Sequence, residues 1–537
     1  MFINNVEQVV LNISTNDYAL EYLNAMKRVN TAFAFRHVSV EEVYATIFEL
    51  SNSLCFDVYQ INSNIVKLAA VYICEPLVHI FNCCLDNGIY PDMFKLAKVI
   101  PIYKSGDRSS YNNYRPISII PVISKIFEKL INKQIINYFE NNTLFSASQY
   151  GFRKGYSTVK AIESFIKKCF GGVESGFSVS GHFFDLTKAF DTISHDILLG
   201  KLKYYGFSDN GIRLMSSYLN NRYQAVYVNG NMSEYQLMSY GVPQGSILGP
   251  VLFIIYVNDL PSFLNNGSTT LFSYLYADDL AILNFDTKNG NGIQYIETTQ
   301  RLNDWCNANK LSLNKSKTVD MTFKIGTAGI NIDNSIKFLG LYIDSNLGWQ
   351  SHINHVAAKI SKNIFVVRML KQKLCKKSLL AVYYGCIYSY LNYGILLWGN
   401  HSSSSKLFIL QKRVVRIICG APLKSHCRPL FAELGVLTLP SMFVLSCLVY
   451  IKENINLYNM HSEVHQYMTR NNNNICLKKC KFTSTQKNFE TVAIKLYNSL
   501  PIHYKNLNTN SLLHKLKQIL ITNPLYEVGE FYSINLS

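Results

Sequence analysis

The sequence predicts an α+β fold, and three observations predict it. The first stretch, Met1 to about Asp92, carries helical apolar spacing. The middle alternates strand-like runs with turn chemistry and short helical runs. From about Trp349 the helical spacing returns, now rich in Lys and Arg. A chain of 537 residues is too long for one compact core, so two or more packed units are expected.

In the first stretch, VSVEEVYATIFELSNSL has helical spacing, with Ser39 placed to cap it ahead of Glu41 and Glu42. KVIPIY then alternates like a strand, SGDRSSYNN is loop chemistry, and RPISII resumes the extended pattern. A long helix is predicted from Val122 to Phe139. SVSGHFFDL reads as a strand, AVYVNG with YQLMSY as a hairpin, SYLYADDLAIL as a second hairpin, and KFLGLYIDSN as one more strand. SILGPVLFIIYVNDL reads as a helix with Ser246 as N-cap and Pro250 near its first turn. Beyond Trp349, Ile353, Val356, Ala357, Ile360, Ile364 and Val367 repeat on one helical face, with Lys359, Lys362, Arg368 and Lys371 mainly on others. SKLFILQKRVVRIICG repeats the theme and stops at Gly420. A flexible break is expected near Asn471 to Asn474.

Composition narrows the function. A formal charge of +17 implies a polyanionic partner, nucleic acid or an anionic surface. The 13 cysteines have no regular spacing. Cys476 and Cys480 come nearest to a metal knuckle, but no His follows at ligand distance. The N-terminus lacks a basic region followed by an apolar one, so the chain is expected to be intracellular, in nucleus or cytoplasm, with free thiols. The longest membrane-like run, Ser378 to Trp398, is interrupted by Ser389, Asn392 and several tyrosines, so a buried amphipathic helix and no membrane partner are expected.

The acidic pair Asp278-Asp279 lies in an otherwise apolar stretch, where adjacent carboxylates repel and burial is costly. A turn tip would explain it blandly. In GHFFDLTKAFDTISHD, however, Asp185 ends an apolar strand, where ligands often bind. If the hairpin lies beside that strand, three carboxylates converge, and divalent cations would relieve their repulsion. Hard ions such as Mg²⁺ take carboxylate oxygen and leave room for phosphates. Two of them can activate a 3′-hydroxyl and stabilise a departing pyrophosphate. GVPQGSILGP adds a glycine-flanked turn in which Gly241 and Gly245 admit close backbone approach and Gln244 offers an amide.

Taken together these segments resemble reverse transcriptases, most closely those of non-LTR, LINE-type (jockey-like) retrotransposons. The resemblance runs in order through NCCLDNGIYPDMFKLAKVIPIYKSGD, NNYRPISIIPVISKIFEKLI, SQYGFRKGYST, FFDLTKAFDTISH, GVPQGSILGPVLFIIYVNDL, YADD, LNDWCNANKLSLNKSKT and FLGLYID. YGILLWG, LQKRVVRII and LYNSLPIHYKNLNTNSLLHKLKQIL extend it toward the C-terminus. It implies a right-hand polymerase of fingers, palm and thumb, with an antiparallel palm sheet backed by helices. The implied divisions are 1–92 as a helical extension and fingers base, 93–345 as fingers and palm, 346–425 as a helical thumb, and 426–537 as a C-terminal helical region.

The resemblance also implies roles. Asp185, Asp278 and Asp279, with the carbonyl of Leu186, would hold two Mg²⁺ ions, Mn²⁺ being able to substitute. Phe190 would gate against a ribose 2′-hydroxyl. Gln244, with Gly245 beside it, would contact the incoming nucleotide near its sugar. Lys104 and Arg115 would grip the triphosphate, Lys317 would protonate pyrophosphate, and Gly340 would sit in the primer-grip turn. The implied partners are an RNA template, a DNA primer or target end, and deoxynucleoside triphosphates. No endonuclease segment precedes the polymerase and no RNase H segment or cysteine-rich knuckle follows, so a truncated or separated polymerase is expected. Two alternatives accompany this reading: a catalytically decayed nucleic-acid-binding remnant, and an RNA-directed RNA polymerase on the same palm.

Overall fold

The computed structural model describes residues 6, 9 and 23 singly, and residues 31–265, 268, 270–287, 293–324, 334–464, 474–477, 486 and 488–536. Cys480 and residues 471–473, which bear on the metal knuckle and the flexible break, lie outside them. The described cysteines are free thiols. The chain forms two units: Met1–Ala161 with His182–Asn284 and Gly290–Asp320, and Ile162–Gly181 with Phe285–Asn289 and Met321–Ser537.

In the first unit, α1 (Val40–Phe48) starts at a reciprocal cap. Ser39 Oγ accepts from the Glu42 amide, and the Glu42 carboxylate accepts from the Ser39 amide. α2 (Ser63–Asn87) ends at Gly88 in the left-handed region. α3 (Val122–Asn141) matches the apolar spacing expected from Val122. These helices and the buried helix α4 (Leu248–Tyr256) meet in one apolar core that includes Phe81, Phe127, Ile135, Phe253 and Trp305.

One sheet is built from β1 (Leu96–Tyr103), β2 (Tyr114–Ile119), β4 (Arg222–Val228), β5 (Asn231–Met232) and β6 (Gln236–Met238). β1 pairs antiparallel with β2 and parallel with β4, a partnership spanning Leu96↔Tyr223 to Val99↔Val226. A second sheet has the order β7-β8-β3-β9, from β7 (Leu271–Tyr276), β8 (Asp279–Asp286), β3 (Ser178–Asp185) and β9 (Val319–Phe323). β7 and β8 are antiparallel and close on Tyr276↔Asp279, so Ala277 and Asp278 form the turn.

Local expectations needed three corrections. The helix predicted from Ser246 begins at Leu248, and its leading amides are not capped from Ser246 alone. Buried Glu128 on α3 accepts from the amides of Ile247 (2.7 Å) and Leu248 (3.1 Å), while Ser246 Oγ accepts from Gly249 (3.0 Å). A carboxylate at a helix N-terminus answers both the unpaired N–H groups and the helix dipole.

The second correction lies in the second unit. Ser378–Trp398 is not one helix: Lys376–Tyr383 passes into a π-helical turn at Tyr384–Tyr388, and the chain breaks at Gly394 (φ 63°) before Ile395–Trp398. Two other described helices are long and apolar enough to cross a membrane by length and composition, Ser63–Asn87 and Leu248–Asn265, the latter largely buried within the protein. A third correction is that KFLGLYIDSN is not one strand: β10 (Ser335–Phe338) turns at Leu339 and Gly340, both at positive φ, into antiparallel β11 (Leu341–Asp344). The second unit also holds α5 (Gln350–Leu370) and α6 (Ser405–Cys419). α5 buries Ile353, Val356, Ala357, Ile360, Ile364 and Val367, the stripe read from the sequence. α6 stops at Gly420 in the left-handed region. Gly340 (φ 90°) occupies the β10–β11 turn against Tyr393.

Candidate active site

β3 ends on Asp185, and the chain segment 312–317 is stitched to that end. The Thr187 amide donates to Ser312 O (2.8 Å), and the Asn314 amide donates to Asp185 O (2.8 Å). Leu186 bridges antiparallel to Leu313. This brings Lys317 Nζ to 2.7 Å from Asp185 Oδ2, with Asn314 Nδ2 at 3.3 Å from the same oxygen. The side-chain bond from Asn314 was not anticipated, because nothing in LNKSKT marks it apart from an ordinary turn residue.

Asp278 and Asp279 sit at the β7–β8 turn, the one place where neighbouring side chains of a strand need not diverge. Ala277 holds φ 56° there, a strained value for a residue with a side chain. The turn is gripped by the QYGF segment. Tyr150 N donates to Leu275 O and Leu275 N to Ser148 O, both at 2.8 Å. Gln149 Oε1 accepts from Gly151 N (2.8 Å) and Ala277 N (3.3 Å). A Cβ on Gly151 would lie 2.4 Å from the Ala277 nitrogen, so only glycine fits.

The three carboxylates act on one another. Asp278 is lifted above the ordinary carboxylate range by burial and by the charge of Asp185, with Arg115 and Lys104 opposing. Asp279 keeps an exposed edge, yet loss of water and then the charges of Asp278 and Asp185 push it up to about 6, against Lys317 and Lys104. Among the described residues no three His, Cys, Asp or Glu side chains close around a single point. The arrangement is therefore an open acidic edge with an ammonium on Asp185, not a finished cage. Its donors are hard oxygens whose mutual repulsion a divalent cation relieves, and that chemistry fits such an ion.

A cavity of about 580 Å³ opens beside this edge, lined by Asp185, Leu186, Phe190, Gln244, Gly245, Asp278, Lys104, Arg115 and Lys317; Asp279 does not line it. Phe190 stacks on Phe253 (centroids 4.5 Å apart) and meets Phe152 edge-on (6.3 Å), so it is both core and wall. Lys104 follows β1 and Arg115 lies on β2, each from the strand pair that closes the cavity. Gly245 (φ 120°) runs against β2, where a Cβ would lie 2.5 Å from Ser118 O. Gln244 Nε2 donates to Asp191, whose carboxyl burial pushes up to about 6 despite that bond and the nearby Lys188. Sequence reasoning missed Asp191 and Phe152.

Residues 102–343 match the family described as Reverse transcriptase (RNA-dependent DNA polymerase). The chain is 27% identical over 425 residues to the RNA-directed DNA polymerase from mobile element jockey of Drosophila melanogaster, covering 74% of this chain and 46% of that protein. It is 28% identical to the same species' "Probable RNA-directed DNA polymerase from transposon BS", over 76% of this chain and 48% of that one. The X-element protein of the same species is 28% identical over 64% and 39%. The chain thus spans about half the length of the curated relatives it matches, or less. With its carboxylates, cavity and motif order in hand, the chain carries a reverse transcriptase domain over residues 102–343 and is homologous to the jockey, BS and X-element retrotransposon polymerases.

Proposed function

We propose that this chain adds deoxynucleotides to a primer 3′-end while copying an RNA template. One observation carries the reading: three mutually repelling carboxylates and Lys317 gather at one edge of a cavity that Phe190 and Gln244 also line. Reverse transcriptases depend on divalent metal as a family. Here Mg²⁺ is the proposed ion, with Mn²⁺ able to replace it, and Asp185, Asp278, Asp279 and the Leu186 carbonyl are the proposed ligands. Bound there, such ions would acidify a hydroxyl nucleophile and offset charge on phosphate oxygens.

The protein's own groups do the rest. Lys104 and Arg115 hold the triphosphate, Arg as a planar fork and Lys as a point charge. Phe190 leaves no room for a 2′-hydroxyl, which favours deoxynucleotides over the RNA polymerase alternative. The primer 3′-oxygen bonds to the α-phosphorus and loses its proton to solvent, the bond from that phosphorus to the bridging oxygen breaks, and pyrophosphate departs. Lys317, an ammonium at the same edge, supplies the proton that pyrophosphate takes up. The proposed partners are an RNA template, a DNA primer or target end and deoxynucleoside triphosphates.

Purified chain with RNA template, DNA primer, Mg²⁺ and the four deoxynucleotides should extend the primer, and Asp185→Asn should abolish extension. A variant as fast as the wild type would remove the carboxylate assignment. Tight, salt-sensitive RNA binding with no extension under either metal would favour the decayed remnant instead.

A further inference from the structure

α2 is a helix with two apolar faces, and the first unit covers one of them. Val66, Ala70, Cys74, Leu77, Phe81 and Leu85 are buried toward the core. On the opposite side Ile65, Leu68, Tyr72 and Ile80 stand in solvent, with Val71 at the flank. Leu68 is 84% exposed, Tyr72 82% and Val71 74%. Ile65, Leu68 and Tyr72 recur at the three- and four-residue steps of one stripe, which exposed Pro76 continues. Single apolar residues on a surface need no explanation, but a contiguous stripe does.

Charge decides what covers it. α2 holds one Lys and no Arg. Lys67 Nζ donates to Asn52 Oδ1 at 2.7 Å, in the loop before the helix, so nucleic acid has no cation to meet on the stripe. A helix that lies on a bilayer flanks its apolar face with Lys and Arg, and this one does not. Crossing a bilayer is closed to it as well, because its other face fills the core of the first unit. Toward the C-terminal end the polar groups are already matched: Cys83 and His79 hydrogen-bond at 3.7 Å, and Asp86 pairs with His37 at 2.7 Å.

An apolar stripe with its nearest carboxylate, Glu75, at the margin is complementary to itself, which is what a two-fold contact requires. Elsewhere a chain of charge +17 repels its own copy. The five apolar side chains present on the order of 500 Å² per copy. With Pro76, His79 and Glu75 around them, the face comes near the ~800 Å² per partner of a standard stable interface.

We infer that this chain forms a two-fold dimer in which the α2 stripes of two copies cross. An antiparallel crossing near residue 70 sets Leu68 of each copy against Tyr72 of the other, and Ile65 toward Pro76. No residue of α2 lines the carboxylate cavity, so each copy keeps its own site.

The test is analytical ultracentrifugation of the nuclease-treated full chain over a wide range of concentration, at low and high sodium chloride. Wild type should pass from one mass to twice that mass as concentration rises, and salt should not dissociate it, since no charge pair holds the contact. Leu68→Glu combined with Tyr72→Glu places charge on both sides of the two-fold axis and should raise the dimer Kd roughly a hundredfold. Both positions are exposed, so the variant should keep the circular dichroism of wild type. Ile102→Glu, at an exposed apolar position on β1, should leave the dimer unchanged. A wild type monomeric at every concentration would overturn the proposal. So would a dimer that survives the paired substitution, or a mass that grows past two copies, which marks a contact that does not close. Flotation with phosphatidylserine-phosphatidylcholine vesicles, lost in the paired variant, would give the face to a membrane instead. Primer extension plays no part in these readouts, so the dimer stands or falls apart from the polymerase reading.

Discussion

Phe190 has neighbours of two kinds: the Phe253 ring packed beneath it and the cavity in front of it. Shortening it should therefore have two effects. Phe190→Ala is expected to raise ribonucleotide incorporation relative to deoxynucleotide and to cost about 2 kcal/mol of stability, less than a fully buried phenylalanine would. Competition assays and urea unfolding would measure the two, and unchanged sugar selectivity would dismiss the gate. At this scale legibility divides sharply. Asp185, Asp278 and Asp279 announce themselves because charge in an apolar run needs a reason. Asp191 and Asn314 give no such signal. Their partners stand 53 and 129 positions away in the chain, and each looks like a common turn residue until the fold brings the pair together.

Elements were more readable than the contacts between them. The strand ending at Asp185, the two hairpins and the apolar stripe of α5 follow from alternation and helical spacing, which depend only on near neighbours. The parallel pairing of β1 with β4 and the Glu128 cap on α4 join distant segments, and local pattern is blind to both. The broken helix at Ser378–Trp398 was hidden because Gly394 reads as tolerable inside a long apolar run. The contact of QYGF with the carboxylate hairpin gives a prediction at this scale. Gly151→Ala would force its methyl group onto the Ala277 backbone, so the hairpin must shift. Extension should fall roughly a hundredfold, as small misplacements in active sites do, while far-UV circular dichroism stays as in wild type. An active Gly151→Ala variant would show that the hairpin tolerates the displacement.

Over the whole molecule the charge of +17 is the dominant quantity, and it was plain from composition. Exposed Lys359 and Lys362 lie off the buried stripe of α5, free to meet phosphate. RNA affinity should therefore fall steeply with salt. Replacing both lysines by alanine should flatten the slope of log K against log salt by about 1.4 to 1.8. Filter binding at several salt concentrations would check this, and an unaltered slope would mean that this face does not touch RNA.

The stitching of residues 312–317 onto the strand that ends at Asp185 bears on how the chain is made. Lys317 leaves the ribosome 132 residues after the aspartate it neutralises. At 5–20 residues per second that is a delay of roughly 7 to 26 s. For that interval the nascent chain carries a bare acidic strand end with neither its ammonium nor its Asn314 clasp. Until position 317 emerges, translation yields a protein whose chemistry has been synthesised but not yet assembled.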